Sequence, residues 1–183
     1  MVFVDVVVLA VAVGLCLGGR LSRLATLELR AIALLYGAIG LQLAAFPAGV
    51  FPWAMNDVVA RVLWMASYAL LAAAAVMNRH IRGVTGVAAG IALNLTAIVA
   101  NGGHMPARVQ ALAEAGQAYR VHNNSISLAD PHLATLVDRW AAPDWLPFAN
   151  VFSVGDIAIA VGIFVVVVCA MRPRVLVRRA AVA

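Results

Sequence analysis

Residues 153–171 read SVGDIAIAVGIFVVVVCAM: one acid, Asp156, in the first turn, then fifteen apolar or small residues without a charge. At a rise of about 1.5 Å per residue this stretch reaches about 28 Å as a helix, close to the ~30 Å hydrocarbon thickness of a bilayer. Four further runs have the same character, over residues 2–18, 31–50, 58–77 and 83–100. In lipid every backbone polar group must be satisfied within the span, which favours helices; a barrel would show alternating ten-residue strands instead of continuous apolar runs. The fold class expected is therefore all-α integral membrane, with five transmembrane helices in a single domain spanning residues 1–183.

The composition agrees. Of 183 residues 64% are hydrophobic and 11% charged, and the mean hydropathy is +0.97. A soluble domain carries about 25% charged residues, so this chain lacks the polar surface to cover a water-soluble globule. That excludes a disordered protein, a disulfide-rich secreted module and an ordinary cytosolic enzyme. Cys16 and Cys169 both lie inside apolar runs and read as small buried hydrophobes rather than an oxidised pair. Leu15 before Cys16 and the acid Asp5 near the start oppose a cleaved leader, so the first run is expected to be an uncleaved helix.

All thirteen basic residues are arginine, placed at the ends of apolar runs. No basic stripe with interleaved aromatics follows a phosphate backbone, so no nucleic-acid partner is expected. One set of connections carries Arg20, Arg23, Arg30, Arg79, Arg82, Arg172, Arg174, Arg178 and Arg179; the other carries Arg61, Arg108, Arg120 and Arg139. The positive-inside rule then places the N-terminus outside and the tail, residues 172–183, in the cytoplasm. The lipid bilayer is the partner this composition implies.

Within the runs, Gly14-x-x-x-Gly18 and Gly86-x-x-x-Gly90 set small residues one turn apart, where helices approach closely. Packing inside one bundle uses such a seam; so does a partner membrane protein or a second copy of the chain. Gln42 and Asn94 are amides in apolar surroundings and predict interhelical hydrogen bonds. Asn94 lies seven residues before Asn101, on the same helix face.

The connection from 101 to 152 is about fifty residues long and holds most of the chemistry. Asn101-Gly102-Gly103 supplies a left-handed helix stop. Pro106 is expected to open a short helix through Arg108, Gln110 and Glu114, ending at Gly116, and residues 119–127 a small hairpin. Asp130 as cap and Pro131 in the first turn, followed by Leu133, Leu136, Val137 and Trp140 at i, i+3, i+4 and i+7, predict a short amphipathic surface helix with Asp138 and Arg139 on its polar side. At the last run, Ser153 and Asp156 have the spacing of a capping box. That is a structural account of Asp156. The functional account starts from the cost of an ionisable group at membrane depth: Asp156 with Asp138 or Asp144 would form a carboxylate pair able to share a proton. His104, His122 and His132 share the segment, but their spacing fits no tight ligand motif, and neither metal nor cofactor is expected.

Asn101-Gly102-Gly103-His104-Met105-Pro106 together with Ser153-Val154-Gly155-Asp156 resembles a family of bacterial polytopic membrane proteins of unknown function. Its members show an N-G-G-x-M-P turn after the penultimate span and an S-x-G-D opening of the last. The resemblance covers nearly the whole chain; it implies a bacterial inner membrane and the same layout, and brings no activity. A local resemblance to the lipoprotein signal peptidases covers about thirty residues. Phe152 and Asp156 match the F-N-x-A-D opening of their last span, with Ser153 and Gly155 departing from it. Val137-Asp138-Arg139 is similar to their D-R element, and Asp144 stands where a second acid would. It implies an intramembrane aspartic hydrolase using Asp138, Asp144 and Asp156.

The leading expectation is a protein without catalysis of its own. Its outer-face site for a lipid, small molecule or partner protein would be shaped by Asn94, Asn101, Gly102, Gly103, Pro106, Ser153, Gly155 and Asp156. The hydrolase is one alternative, and an accessory subunit of a larger membrane complex is another.

Overall fold

The computed structural model describes residues 2–46, 56–115, 125–128, 130–143 and 150–172. Each apolar run holds one helix. In chain order the helices are α1 (Val2–Cys16), α2 (Ile32–Ala45), α3 (Asp57–Met77), α4 (Val84–Ala100), the short α5 (Val109–Glu114) and α6 (Val154–Met171). A 3-10 turn, Leu21–Thr26, follows α1. α3 with 21 residues and α6 with 18 are long and apolar enough to cross a membrane; α1, α2 and α4 are apolar but shorter.

Polar side chains and glycines punctuate these helices as their chemistry requires. The Asn56 side chain accepts the Val58 N–H at 2.9 Å and caps α3. α4 stops at Asn101: the Gly103 N–H returns to the Ile98 carbonyl at 2.8 Å and the Gly102 N–H to that of Val99 at 3.3 Å, with φ of 68° at Gly102. That pair of bonds is the Schellman arrangement, which needs a residue in the left-handed region. Gly18 and Gly19 end α1 in the same way.

The principal helix contacts run α2–α3–α4–α6–α1. Glycine sets the α4–α6 approach: a Cβ at Gly86 would lie 3.3 Å from Gly162 Cα, and one at Gly90 would run into the Gly155 carbonyl. Gly14 faces Met171 of α6. The Gly86/Gly90 seam therefore serves a contact within this chain, as does Gly14, whereas Gly18 lies beyond α1 and a Cβ there would meet nothing within 4 Å.

What is buried is mostly small. Ala10, Ala38, Ala60, Ala74, Ala75 and Ala97 are all below 9% exposed, while Val8, Tyr36, Val62, Val99 and Val161, one on each long helix, are 54–67% exposed. Large apolar side chains are thus exposed on every long helix, while alanines recur among the buried ones beside Trp64, Ile98 and Met171.

The chain reversals fall at two ends. One holds Arg20, Arg23, Arg30, Arg79, Arg82 and Arg172 and is called the arginine end below. The other, the cap end, carries the described parts of the 101–152 segment with Arg61, Arg108 and Arg139. There the all-α expectation is corrected, for four short strands occur among the described residues, where the sequence suggested at most one hairpin. β1 (Met105–Ala107) pairs in parallel with β2 (Ser125–Ser127), Pro106 opposite Ile126, and β3 (Trp140–Ala141) pairs antiparallel with β4 (Val151–Phe152). Asp138 joins the two pieces: its N–H donates to the Pro106 carbonyl and its carbonyl accepts from Arg108 N–H, both at 2.9 Å, while Arg139 N–H donates to Phe152 at 3.0 Å.

Two local expectations change accordingly, and a third lies largely outside the described residues. Pro106 lies in β1, and the helix begins only at Val109. Residues 125–127 pair in parallel with β1, and the rest of the expected hairpin, residues 119–124, lies outside the described residues, as do residues 116–118. The surface helix over 131–140 is absent; that stretch is a series of turns with Leu133 at φ 54°. A left-handed leucine is incompatible with a helix running through it.

Candidate functional site

The first turn of α6 forms the centre of the cap end. Ser153 is its N-cap, its Oγ accepting the Asp156 N–H at 3.1 Å, while Asp156 Oδ2 accepts the Ser153 N–H at 2.9 Å. This is the reciprocal capping box expected of that spacing. Asn94 of α4 completes it. Its Nδ2 donates to Asp156 Oδ1 at 2.8 Å, and Ser153 Oγ stands 2.8 Å from Asn94 Oδ1 and 3.1 Å from Asp156 Oδ2. The single hydroxyl proton of Ser153 serves one of those two acceptors at a time. Ser153 and Asn94 are buried, at 0% and 2% exposure.

The glycine of S-x-G-D, Gly155, has a physical reason. A Cβ there would collide with the Asn94 carboxamide and lie 2.9 Å from the Gly90 carbonyl. Serine caps, glycine makes room for the asparagine, and aspartate binds it. The motif is thus half of a contact whose other half is Asn94, 62 residues away along the chain.

Tyr68 of α3 borders this cluster and has no counterpart among the residues singled out from sequence. Its hydroxyl interacts with the Asn94 side chain and lies within electrostatic range of both Asp156 and Asp138. Its ring is the end of an aromatic run in which Phe46, Trp64 and Tyr68 meet edge to face at 5.2 Å. Met105 and Leu136 from the cap pack on that run, beside Ala97 and Ile98. The available signal was Ser67-Tyr68, two hydroxyls within an apolar run; Gln42 Nε2 meets Ser67 Oγ at 3.1 Å, the interhelical bond expected of that amide.

The other residues of interest fall around this centre. Asn101 holds the cap turn: its Nδ2 donates to the carbonyls of Ala97 at 2.7 Å and His132 at 3.0 Å, and its Oδ1 accepts His132 N–H at 2.8 Å. Gly102 and Gly103 finish α4, and a Cβ at Gly103 would sit 3.1 Å from the Arg61 stem. Pro106 is fully buried in β1. Asp138, expected on a polar helix face, is buried at 4% exposure. Arg139 lies over the Trp140 ring at 5.4 Å, and Trp140 stacks on Phe152. Asp144 lies outside the described residues. Among the described residues no group of three or more His, Cys, Asp or Glu is placed to hold a metal ion.

A cavity of about 270 Å³ opens in the cap, lined by Ala107, Val109, Leu128, Pro131, Ala134 and Val137 with the polar groups of Arg108 and Gln110. Its lining is mostly apolar with one cation, and it is separate from the Asn94–Ser153–Asp156 knot.

The architecture defines a mostly helical protein with two helices able to cross a membrane and a small mixed cap on one end. The chain belongs to DUF5317, a family of unknown function, whose match spans residues 26–168. That span takes in both the Asn101–Pro106 turn and the Ser153–Asp156 opening. Among curated proteins and among solved structures, none matches.

Proposed function

We propose that this chain is a five-span protein of the bacterial inner membrane, with its cap end outside, its arginine end in the cytoplasm and no catalysis of its own. Its cap binds a small anionic amphiphile. The outward valines and inward alanines support the membrane placement, because lipid supplies no hydrophobic drive between helices and close packing favours small residues. The observation that carries the non-catalytic reading is the engagement of Asp156: both its oxygens are taken up by Asn94 and Ser153. A carboxylate so held is framework, as a cap and helix–helix tie. The ligand falls instead to the cavity beside Arg108, whose guanidinium suits an acid group and whose walls suit an apolar body.

The test is mass spectrometry of small molecules retained on the protein purified in mild detergent. Arg108→Ala is expected to deplete an anionic amphiphile carried by the wild type, whereas Asp156→Asn lowers the melting temperature and leaves the bound material unchanged. Identical extracts from wild type and Arg108→Ala would remove the reading. An aspartic hydrolase is the second reading, supported by Tyr68, which lies within electrostatic range of both Asp138 and Asp156. It requires the opposite of Asp156→Asn: a well-folded protein that no longer cleaves a lipid-anchored peptide.

A further inference from the structure

At the arginine end, α6 finishes at Met171, whose carbonyl collects the chain that follows α1. It accepts the Arg20 N–H at 3.0 Å and Arg23 Nη1 at 3.1 Å. The cation thereby caps the negative end of the helix, and the Leu21–Thr26 turn is fixed against α6. Between them lies a cavity of about 260 Å³ lined by Arg23, Thr26, Leu27, Cys169, Ala170 and Arg172. Two arginines are among its lining residues and, among the described residues, no acid is. A guanidinium offers five N–H donors in a planar fork, and the Met171 contact draws on one of those of Arg23. Arg172 is exposed. Leu21 on the same turn and Leu17 at the end of α1 are 54% and 50% exposed, giving apolar surface beside a cationic niche.

We propose that this niche binds the phosphate of an anionic lipid headgroup, held by Arg23 and Arg172, with the acyl chains against Leu17 and Leu21. Planar forks fit phosphate oxygens in pairs, and a basic pocket at a helix end in lipid is the kind of site that selects anionic headgroups. The small volume admits a headgroup rather than a whole lipid, and the exposed leucines leave the chains in the bilayer. The site shares with the proposed function only the premise that the helices lie in lipid; the cap and its cavity take no part.

Native mass spectrometry of the full chain, released from nanodiscs of equal phosphatidylglycerol and phosphatidylcholine, tests it. The wild type is expected to retain phosphatidylglycerol preferentially. Arg172→Gln is expected to reduce that preference about fivefold, and Arg23→Gln with Arg172→Gln more than tenfold, at the usual worth of a basic residue near an anionic surface. Arg61→Gln, at the cap end, keeps the wild-type preference. Arg23 also caps α6, so Arg172→Gln, which leaves the Met171 contact in place, carries the test if the double variant does not fold. An unchanged preference in Arg172→Gln overturns the proposal. Displacement of the lipid by millimolar glycerol 3-phosphate as readily as by phosphatidylglycerol also overturns it, by making the site one for a soluble anion.

Discussion

Asn78 at the end of α3 and Asn101 at the end of α4 lie at opposite ends of the bundle and make the same set of bonds. Each Nδ2 donates to the carbonyl four residues back, Ala74 at 2.8 Å or Ala97 at 2.7 Å. Each then grips one remote residue by both backbone groups: Arg30 through its N–H at 2.7 Å and carbonyl at 2.8 Å, His132 at 2.8 and 3.0 Å. The residues that follow the gripped ones, Ala31 at φ 51° and Leu133 at φ 54°, are the two described non-glycine residues with positive φ. The strain of a left-handed alanine or leucine persists where surrounding bonds fix it, and here one asparagine fixes each. The difference lies in what comes next. After Arg30 the chain enters α2 at once, so the clamp joins two helices; after His132 it continues as turns into Val137 and Asp138, so the clamp secures a non-helical cap. One device serves stacking at the arginine end and lid-holding at the cap end.

Glycine contacts at the two ends differ most in tolerance. Gly155→Ala drives a Cβ into the Asn94 carboxamide with backbone of Gly90 behind it, whereas Gly14→Ala meets the flexible end of Met171, whose Sδ lies 2.6 Å from the new atom. Overpacking against fixed groups costs up to about 3 kcal/mol, and a side chain that can turn away reduces that to about 1 kcal/mol. Thermal unfolding in one detergent is expected to show Gly155→Ala as the larger loss by a clear margin. Equal losses would mean that the Asn94–Ser153–Asp156 knot gives way as easily as a methionine.

The contrast also explains which parts of the molecule sequence alone discloses. Each helix, the glycine stop at 102–103 and the capping box at Ser153 depend on residues within one or two turns of each other, so period and spacing reveal them. Residues 131–140 have helical periodicity, but over so few residues helix formation is marginal without support. Their backbone groups are claimed from afar, by Asn101 at His132 and by Pro106 and Arg108 at Asp138. Leu136 and Val137 still turn inward as the pattern asked, while Leu133 and Trp140 turn out. Of the site, Ser153 and Asp156 were legible as a local cap. Asn94 was visible as an odd amide without a partner, and Tyr68 was invisible because a tyrosine in an apolar run is unremarkable until α3 meets α4.

The clamps themselves permit a matched experiment. Asn78→Ala and Asn101→Ala each remove three bonds of the same geometry, two of them part-buried, a loss of about 1–3 kcal/mol at the net worth of such bonds. Similar losses in melting temperature are expected. Hydrogen exchange separates them: Asn101→Ala raises exchange at residues 131–139 and spares the helices, while Asn78→Ala raises it at residues 28–33 and the start of α2. If Asn101→Ala instead loosened α4 and α6 together, the cap would be part of the helical core, and the division between lid and stack would fail.

The smallest effect concerns Arg61, which braces the cap from α3. Arg61 reaches Asp57 at 3.1 Å as an i,i+4 pair, donates through Nη1 to the Gly102 carbonyl at 3.1 Å, and lays its stem against Gly103. The pair is solvent-facing, Asp57 being 72% exposed, and such pairs contribute below about 1 kcal/mol, screened further by salt. Arg61→Lys retains the charge and much of the stem but loses the fork that reaches both partners; Arg61→Met retains packing on Gly103 alone. Should the two variants melt within a degree of each other at high and low salt, stem packing accounts for the brace. A salt-dependent gap in favour of lysine would assign it to the charge, and would make the cap end sensitive to ionic strength in a way the asparagine clamp of the arginine end is not.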